Sequence, residues 1–420
     1  MCTNMTLKAA DGSVIVARSM ENAAPMDSEV FFRARETVYH QDIDQIDTWL
    51  KMLNHLAHAN PDSEPTVALR DRRLLSWQGQ YAFVGITVLE SGVASHGMNE
   101  KGLVTGTMTL TVSEYHAYEE INNNLVYLYL TNFLLSNCAT CQDVIDGFEQ
   151  GFQIRIPGEE GTQETRISVI NPFENLDSGF YCHFPVNDAK GNALVIEYID
   201  GQLQIHDNTG IGVLTNAPDF QWQVTNLSNY THVQPVNIQG IDSLINTPQS
   251  HRYAPSSGGV RPDHALKYRG IVRNPLAHMK GDLNVQGTGF VGMPGSSTPA
   301  DRFVRAHKMA TYAYQPETAE QAVVTASHLL NTVDIPLGTS REWIQSDESN
   351  NSSDYTQWVT ISDTAGLKYY IRGYDSPLMY SIDLNDFKDD SPNTLNQYQL
   401  SIPGFNVSPE TIAIPLRKGA

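Results

Sequence analysis

Short apolar runs bounded by Gly, Asp, Asn and Pro divide this chain into successive strands, interrupted by a few stretches with helical spacing. At the start, Cys2-Thr3-Asn4-Met5-Thr6-Leu7 and Val14-Ile15-Val16-Ala17-Arg18-Ser19-Met20-Glu21 flank Ala10-Asp11-Gly12-Ser13. An Asp-Gly turn between two such runs predicts a β-hairpin. Its strands lie side by side, so Arg18 and Glu21 are expected back beside the amino terminus, where a cation and a carboxylate can tune neighbouring groups. Residues 29–39 read as a strand, and 41–59 as a helix with Ile43, Ile46, Trp49, Leu50 and Leu53 at helical spacing. Strands resume at 81–86, 92–95 and 104–109, with a tight turn at Asn99-Glu100-Lys101-Gly102 in which Gly102 takes positive φ. Two helices are expected in 122–154, around Asn137-Cys138. Residues 181–184, 193–198 and 202–207 read as adjacent antiparallel strands, the last two joined by Asp200-Gly201. Val213-Leu214-Thr215-Asn216 ends a strand before a proline turn and a helix, a place from which a side-chain amide can point into a pocket. A glycine-rich turn at 287–298 runs into a helix, and aromatic and aliphatic residues alternate through 355–384, as in strands of a layered sheet.

Composition narrows the function. The length of 420 residues is compatible with two or three domains, yet no linker divides the chain, so a single domain over 1–420 is expected, with insertions at about 40–75 and 232–284. Hydrophobic residues at 40% and charged residues at 18% describe an ordinary globular chain. A formal charge of −20, from 27 basic against 47 acidic residues, argues against nucleic acid and anionic membranes as partners. There is no basic start followed by an apolar core, and no stretch apolar enough to span a bilayer. Four cysteines in so long a chain suit a reducing compartment, and a cytoplasmic protein is expected. Cys138-Ala139-Thr140-Cys141 has CxxC spacing without a second pair for zinc and reads as two partly buried thiols at a helix start. The thirteen histidines show no HExxH or paired spacing, so no metal is expected. The glycine-rich turn lacks the Lys-Ser/Thr ending of a P-loop and the glycine spacing of a dinucleotide site, and no cofactor is expected either.

Candidate chemistry starts at Met1-Cys2. Cysteine is small enough for an aminopeptidase to expose, and processing leaves one residue holding both a thiol and an α-amine. The amine titrates at about 7.7–8.0 and the thiol at about 8.5, so near neutral pH the amine can take the thiol proton over a short path. Nucleophile and base then share one residue.

Several blocks of the chain resemble one family, the amino-terminal nucleophile hydrolases of the choloylglycine hydrolase and penicillin V acylase group. The blocks are the opening Cys2-Thr3 with Arg18 and Glu21 on the hairpin, Met98-Asn99-Glu100-Lys101-Gly102-Leu103, the run from Leu214-Thr215-Asn216-Ala217-Pro218 through Trp222 to Tyr230, Gly292-Met293-Pro294-Gly295 with Asp301-Arg302-Phe303-Val304-Arg305, and the closing strands to about Phe387. The resemblance implies an α+β fold, the four-layer αββα sandwich with two antiparallel sheets face to face. It implies hydrolysis of linear amide C–N bonds on a small-molecule substrate, no cofactor, and a homo-oligomer, a tetramer in that family. Residue by residue, it makes Cys2 the nucleophile and Arg18 and Arg302 the cations favouring its anion. Glu21 would position the amine. The backbone N–H of Thr109 and the side-chain amide of Asn216 would hold the oxyanion. Three positions depart from the family pattern: Glu21 replaces Asp, Thr109 replaces Asn or Tyr, and Asp301 replaces Ser. Arg305 is expected to make a structural ion pair. A bland alternative for the 214–230 run is a turn-capping Asn216 with a buried Trp222.

Conjugated bile salts or penicillin V are the first expectation for substrate, with N-acyl homoserine lactones close behind. The alternatives are a cysteine dipeptidase on the same fold, and a catalytically inactive binding homologue, the latter motivated by Glu21 and Thr109.

Overall fold

The structure is a computed structural model that describes residues 1–56, 66–67, 73–88, 92–117, 123–174, 180–235, 289–341, 353–376, 378–386 and 398–400. Most of the insertion expected at 232–284, and much of the second half of that at 40–75, lie outside these residues. The chain divides into two compact units, Met1–Leu227 with Pro294–Ala420, and Ser228–Met293. The first unit holds every residue expected at the site, Cys2, Arg18, Glu21, Thr109, Asn216 and Arg302.

Two antiparallel sheets form the centre of that unit. The strands are β1 (Cys2–Lys8), β2 (Val14–Asn22), β3 (Val30–Arg33), β4 (Phe83–Thr87), β5 (Ala94–Asn99), β6 (Val104–Gly106), β7 (Met108–Thr109), β8 (Cys182–Asn187), β9 (Ala193–Ile199), β10 (Gln202–Asp207), β11 (Val213–Leu214), β12 (Ser340–Arg341), β13 (Ser353–Asp363), β14 (Lys368–Gly373), β15 (Tyr380–Asp383) and β16 (Tyr398–Leu400). The first sheet runs β11-β1-β2-β13-β14-β15, with β12 on β13; the second runs β10-β9-β8-β6-β5-β4-β3-β16, with β7 on β8. Short two-stranded ribbons lie outside both.

The helices are α1 (Ile43–Leu56), α2 (Leu130–Asn137), α3 (Cys141–Gln150), α4 (Phe220–Asn226), α5 (Pro299–Tyr312) and α6 (Ala319–Asn331). Helices α5 and α6 cover the outer face of the first sheet, and Phe303, Ala306, Ala322 and Leu330 share an apolar cluster with Val16, Val104 and Ile361 of the strands. Helices α2 and α3 cover the second, where Phe133, Leu134 and Val144 pack with Phe184 and Ile196. The layers are therefore helix, sheet, sheet, helix, the expected sandwich.

Strand β2 shows why the sequence folds this way. Val14, Ile15, Val16 and Ala17 are all 0% exposed, because a sheet covered on both faces buries every side chain of a central strand. Fully burying each of the three larger ones is worth about 1.5–3 kcal/mol. Gly12 at φ +92° turns the hairpin, and Asp11 Oδ1 accepts from the Ser13 N–H at 2.8 Å. The register sets Cys2 opposite Met20 and Asn4 opposite Arg18, which brings Arg18 beside the terminus as expected. Gly102 has φ +78°, and a Cβ there would collide with the Thr364 carbonyl.

The helix starts follow their caps. Thr140 and Asp143 form a capping box at α3, and Cys138 and Cys141 beside it are fully buried. Thr298 caps α5 ahead of Pro299. Asp301, in its first turn, accepts from the Ser296 N–H at 3.1 Å and hydroxyl at 2.6 Å. The substituted Asp301 thus closes the loop before Arg302. No helix among the described residues is long and apolar enough to cross a membrane.

Candidate active site

Met1 is present in the structure, so the Cys2 nitrogen is here an amide that stands in for the α-amine of the processed chain. Met1 extends the ladder by one pair: its carbonyl accepts from the Glu21 N–H at 2.7 Å, and its ammonium donates to the Glu21 carbonyl. With Met1 attached, Cys2 is 5% exposed.

Every polar group of Cys2 has a fixed partner. Its N–H donates to Asn216 Oδ1 at 2.7 Å. Its carbonyl accepts from Arg302 Nη1 at 2.6 Å. Its sulfur accepts from Arg18 Nη2 at 3.4 Å.

Arg302 is 0% exposed and distributes four hydrogen bonds, to the Ser297 carbonyl through Nε at 3.0 Å, to the Cys2 carbonyl and Thr3 Oγ1 through Nη1 at 2.6 Å each, and to Asn216 Oδ1 through Nη2 at 2.9 Å. The rigid guanidinium fork suits such a task. Asn216 Oδ1 therefore receives two donors, and its Nδ2 donates to the Thr109 carbonyl at 2.9 Å. An amide NH2 has two protons, so one Nδ2 proton is engaged by Thr109 while the other is not needed for that bond.

Arg18 crosses between the sheets. It is 0% exposed; Nη1 donates to the Ser95 carbonyl at 2.6 Å and Nη2 to the Thr107 carbonyl. Its guanidinium lies 5.3 Å from the Trp358 ring. Beside it, His96 Nδ1 meets Tyr369 Oη at 2.8 Å, and burial, then the Arg18 charge, push His96 well below its usual range, which leaves that ring neutral next to the cation. The passage for Arg18 exists because residue 106 is glycine: a Cβ there would collide with Arg18 Nη1 and come within 2.6 Å of the Ser95 carbonyl. Gly106→Ala is expected to displace Arg18 and lower kcat/KM about a hundredfold, since a misplacement of about 1 Å costs that much. Steady-state kinetics beside a melting curve checks this.

The four cysteines are not equivalent. Burial, then the Cys2 charge, push Cys182 up to about 12, although Arg18 pulls it down. Burial also raises Cys138 and Cys141 far above the thiol range. Among the described residues only Cys2 accepts a hydrogen bond at sulfur from an arginine.

Glu21 pairs through its backbone with Met1 beside the amino terminus, as expected, while its carboxyl faces Thr356 and Arg302. A bulge between Met20 and Glu21 sets Glu21 opposite Thr356. Its Oε1 accepts from Thr356 Oγ1 at 3.2 Å, and its Oε2 lies 3.9 Å from Arg302 Nη1. Burial raises this carboxyl, against the opposing pull of Arg302 and the amino terminus. With Met1 attached, the nitrogen of Cys2 donates to Asn216, and the Glu21 carboxylate faces Arg302. Arg305 departs from expectation: it donates to the carbonyls of Thr332 at 2.8 Å, Pro294 at 2.7 Å and Ser296 at 3.1 Å, so it ties the loop ends rather than forming an ion pair. Nor is Asn216 a turn cap. Asp219 caps α4, and Trp222 is 45% exposed. Cys2, Arg18, Asn216 and Arg302 are thus brought together, with Thr109 joined through its carbonyl.

The histidine spacing concealed a buried pair. His183 on β8 and Glu197 on β9, both 0% exposed, meet at 2.8 Å between Nδ1 and Oε1. Their only trace in the sequence is a polar residue inside each of two apolar runs. Burial raises Glu197, but hydrogen bonds from His183 and His206, the His183 charge and the Phe220 N–H outweigh it and bring it to about 2. Because the folded value lies below the unfolded one of about 4.3, this stabilisation is present above that pH and is lost as pH falls towards 2, about 3 kcal/mol in all. Urea unfolding across that window is expected to show the loss, and Glu197→Gln to flatten that part of the profile.

Comparison with known proteins places the chain in a family. The family model described as linear amide C–N hydrolases, choloylglycine hydrolase family, matches residues 2–246 and 264–396. The chain is 24% identical over 390 residues to a bile salt hydrolase/transferase of Clostridium perfringens, covering 92% of this chain and 93% of that one. It is 24% identical to a penicillin V acylase of Pectobacterium atrosepticum, over 74% of this chain and 68% of the relative. Its fold is similar to that of the C2A mutant of the Clostridium perfringens conjugated bile acid hydrolase, with a TM-score of 0.64 and 20% identity over 99% of both chains. The chain belongs to the choloylglycine hydrolase family of linear amide C–N hydrolases.

Proposed function

We propose that the processed chain cleaves a conjugated bile salt or penicillin V with Cys2 as nucleophile. The thiol proton passes to the Cys2 α-amine, and the thiolate attacks the amide carbonyl carbon. The oxyanion is held by the Asn216 Nδ2 proton not given to Thr109, together with the Thr109 N–H. Arg18 favours the thiolate; Arg302 orients Asn216 and the Cys2 carbonyl, and Glu21 balances the Arg302 charge. The tetrahedral intermediate collapses with cleavage of the C–N bond, and the leaving amine takes its proton from the α-ammonium. Water, deprotonated by the same amine, then hydrolyses the thioester, releasing the acid and restoring the thiol.

The observation that carries this reading is the convergence of Asn216, Arg302 and Arg18 on the nitrogen, carbonyl and sulfur of one residue at a strand end. Removing Met1 takes away the residue that extends β1 beyond Cys2, which opens the sulfur to substrate. The choice of substrate draws on the names of the relatives, bile salt hydrolases and a penicillin V acylase. In the same proposal residues 1–420 make one catalytic domain with insertions, and the protein is a cytoplasmic homo-oligomer, its compartment supported by four free buried cysteines. A panel of glycocholate, taurocholate, penicillin V, acyl homoserine lactones and dipeptides, run beside Cys2→Ala, tests it. Turnover of one of the first three that Cys2→Ala abolishes supports the reading, whereas turnover of lactones alone, or of dipeptides, replaces the substrate.

A further inference from the structure

We infer that His183 and Glu197 are positioning residues for Asn216, acting as a buried ion pair that clamps both ends of the turn bearing that side chain. The inference rests on the role proposed above for Asn216.

Asn216 sits in a turn between β11 and α4, and hydrogen bonds to the second sheet fix it at both ends. At the front, His183 Nε2 donates to the Thr215 carbonyl at 2.9 Å. At the back, the Phe220 N–H donates to Glu197, at 3.1 Å from Oε1 and 3.2 Å from Oε2. The two anchors are one unit, since His183 Nδ1 lies 2.8 Å from Glu197 Oε1. Both groups are wholly buried and stand on adjacent strands of the sheet.

The charge state follows from the partners. A carbonyl oxygen and a carboxylate are both acceptors, so the imidazole must donate from both nitrogens, and only the cation has two N–H groups. The ionisable group next nearest is His206 on β10, with Nε2 at 3.6 Å from Glu197 Oε2. The two backbone bonds are therefore charge-assisted, roughly twice as strong as neutral ones. Gln223 adds a weaker tie within the turn, donating to the Asn216 carbonyl at 3.2 Å. No bond from the pair reaches Cys2, so its effect passes through the placing of the Asn216 amide, between the Arg302 donor and the Thr109 carbonyl.

The test uses processed, full-length enzyme with whichever amide of the panel it turns over. His183→Gln is expected to lower kcat about a hundredfold while KM stays within about threefold, because ångström-scale drift of an oxyanion donor costs that much in the transition state alone. Because a lone buried charge can prevent folding, the double variant His183→Gln with Glu197→Gln, which is neutral and hydrogen-bonded, is measured beside it. It is expected to fold and to keep a kcat at least about tenfold below wild type. Unchanged kcat in the double variant, or an equal loss through KM, overturns the inference. Nitrogen-15 NMR of histidine-labelled enzyme near neutral pH supplies a readout independent of turnover: a doubly protonated His183 supports the pair, and a neutral ring overturns it. Asn216→Ala separates the two levels. If it leaves kcat intact, the proposed role of Asn216 fails; if it loses activity while the double variant does not, only the clamp fails.

Discussion

Enzyme with a bulky residue inserted between Met1 and Cys2, so that the terminus is not trimmed, is expected to hydrolyse its amide substrate at least a thousandfold more slowly than processed enzyme, by a rough count. Two losses combine. An amide nitrogen has no lone pair to take the thiol proton, and removing a positioned general base typically costs about 10²–10⁴. The residue ahead of Cys2 also pairs with Glu21, as Met1 does, and extends the chain beyond the nucleophile, where substrate has to approach. The fold should survive, since the ladder bonds of the extended terminus are already present in the structure. A fusion whose cleavage leaves Cys2 first should recover full activity. Intact mass and turnover, recorded on the same samples, check both directions.

Arg302→Lys is expected to be nearly as damaging. Arg302 satisfies the Ser297 carbonyl, the Cys2 carbonyl, Thr3 Oγ1 and Asn216 Oδ1 from three nitrogens. One ammonium cannot reproduce that spread. At least one buried acceptor is left without its donor, at about 1–3 kcal/mol each, while the charge opposite Glu21 is kept. Asn216 Oδ1 then loses a donor, and kcat should fall about a hundredfold as the amide drifts. Arg302→Gln should be worse for stability, because it leaves the Glu21 carboxylate buried without a cation, a loss of about 3–5 kcal/mol. Urea titration distinguishes the two variants, and kinetics on whichever folds measures the rest.

Much of the fold and of the site was legible because the governing signals are local. The Asp11-Gly12 turn sets the hairpin, and the hairpin sets Arg18 beside Cys2. Thr215-Asn216 ends a strand before a proline, so its amide is placed by the turn. What the sequence did not disclose depends on which strands meet. His183 and Glu197 lie 14 residues apart and touch only because β8 and β9 pair. The need for glycine at 106 comes from an arginine that arrives from the other sheet. The direction of the Glu21 side chain was not legible for a related reason: the bulge at Met20 changes where it lands, and the extra strand residue, Gln357, is distant in sequence. Arg305 was assigned a carboxylate because charge suggests charge, yet the groups within reach were loop carbonyls.

Every step proposed for this enzyme requires that an amino-terminal Cys2 form the covalent bond to substrate. Acid-quenching the processed enzyme during turnover, then mapping the amino-terminal peptide by mass, tests it most directly. The expected product is a peptide that begins at Cys2 and carries the acyl group of the substrate on sulfur, absent from Cys2→Ala. Full turnover by protein that retains Met1, or an acyl group found on any other residue, would contradict it.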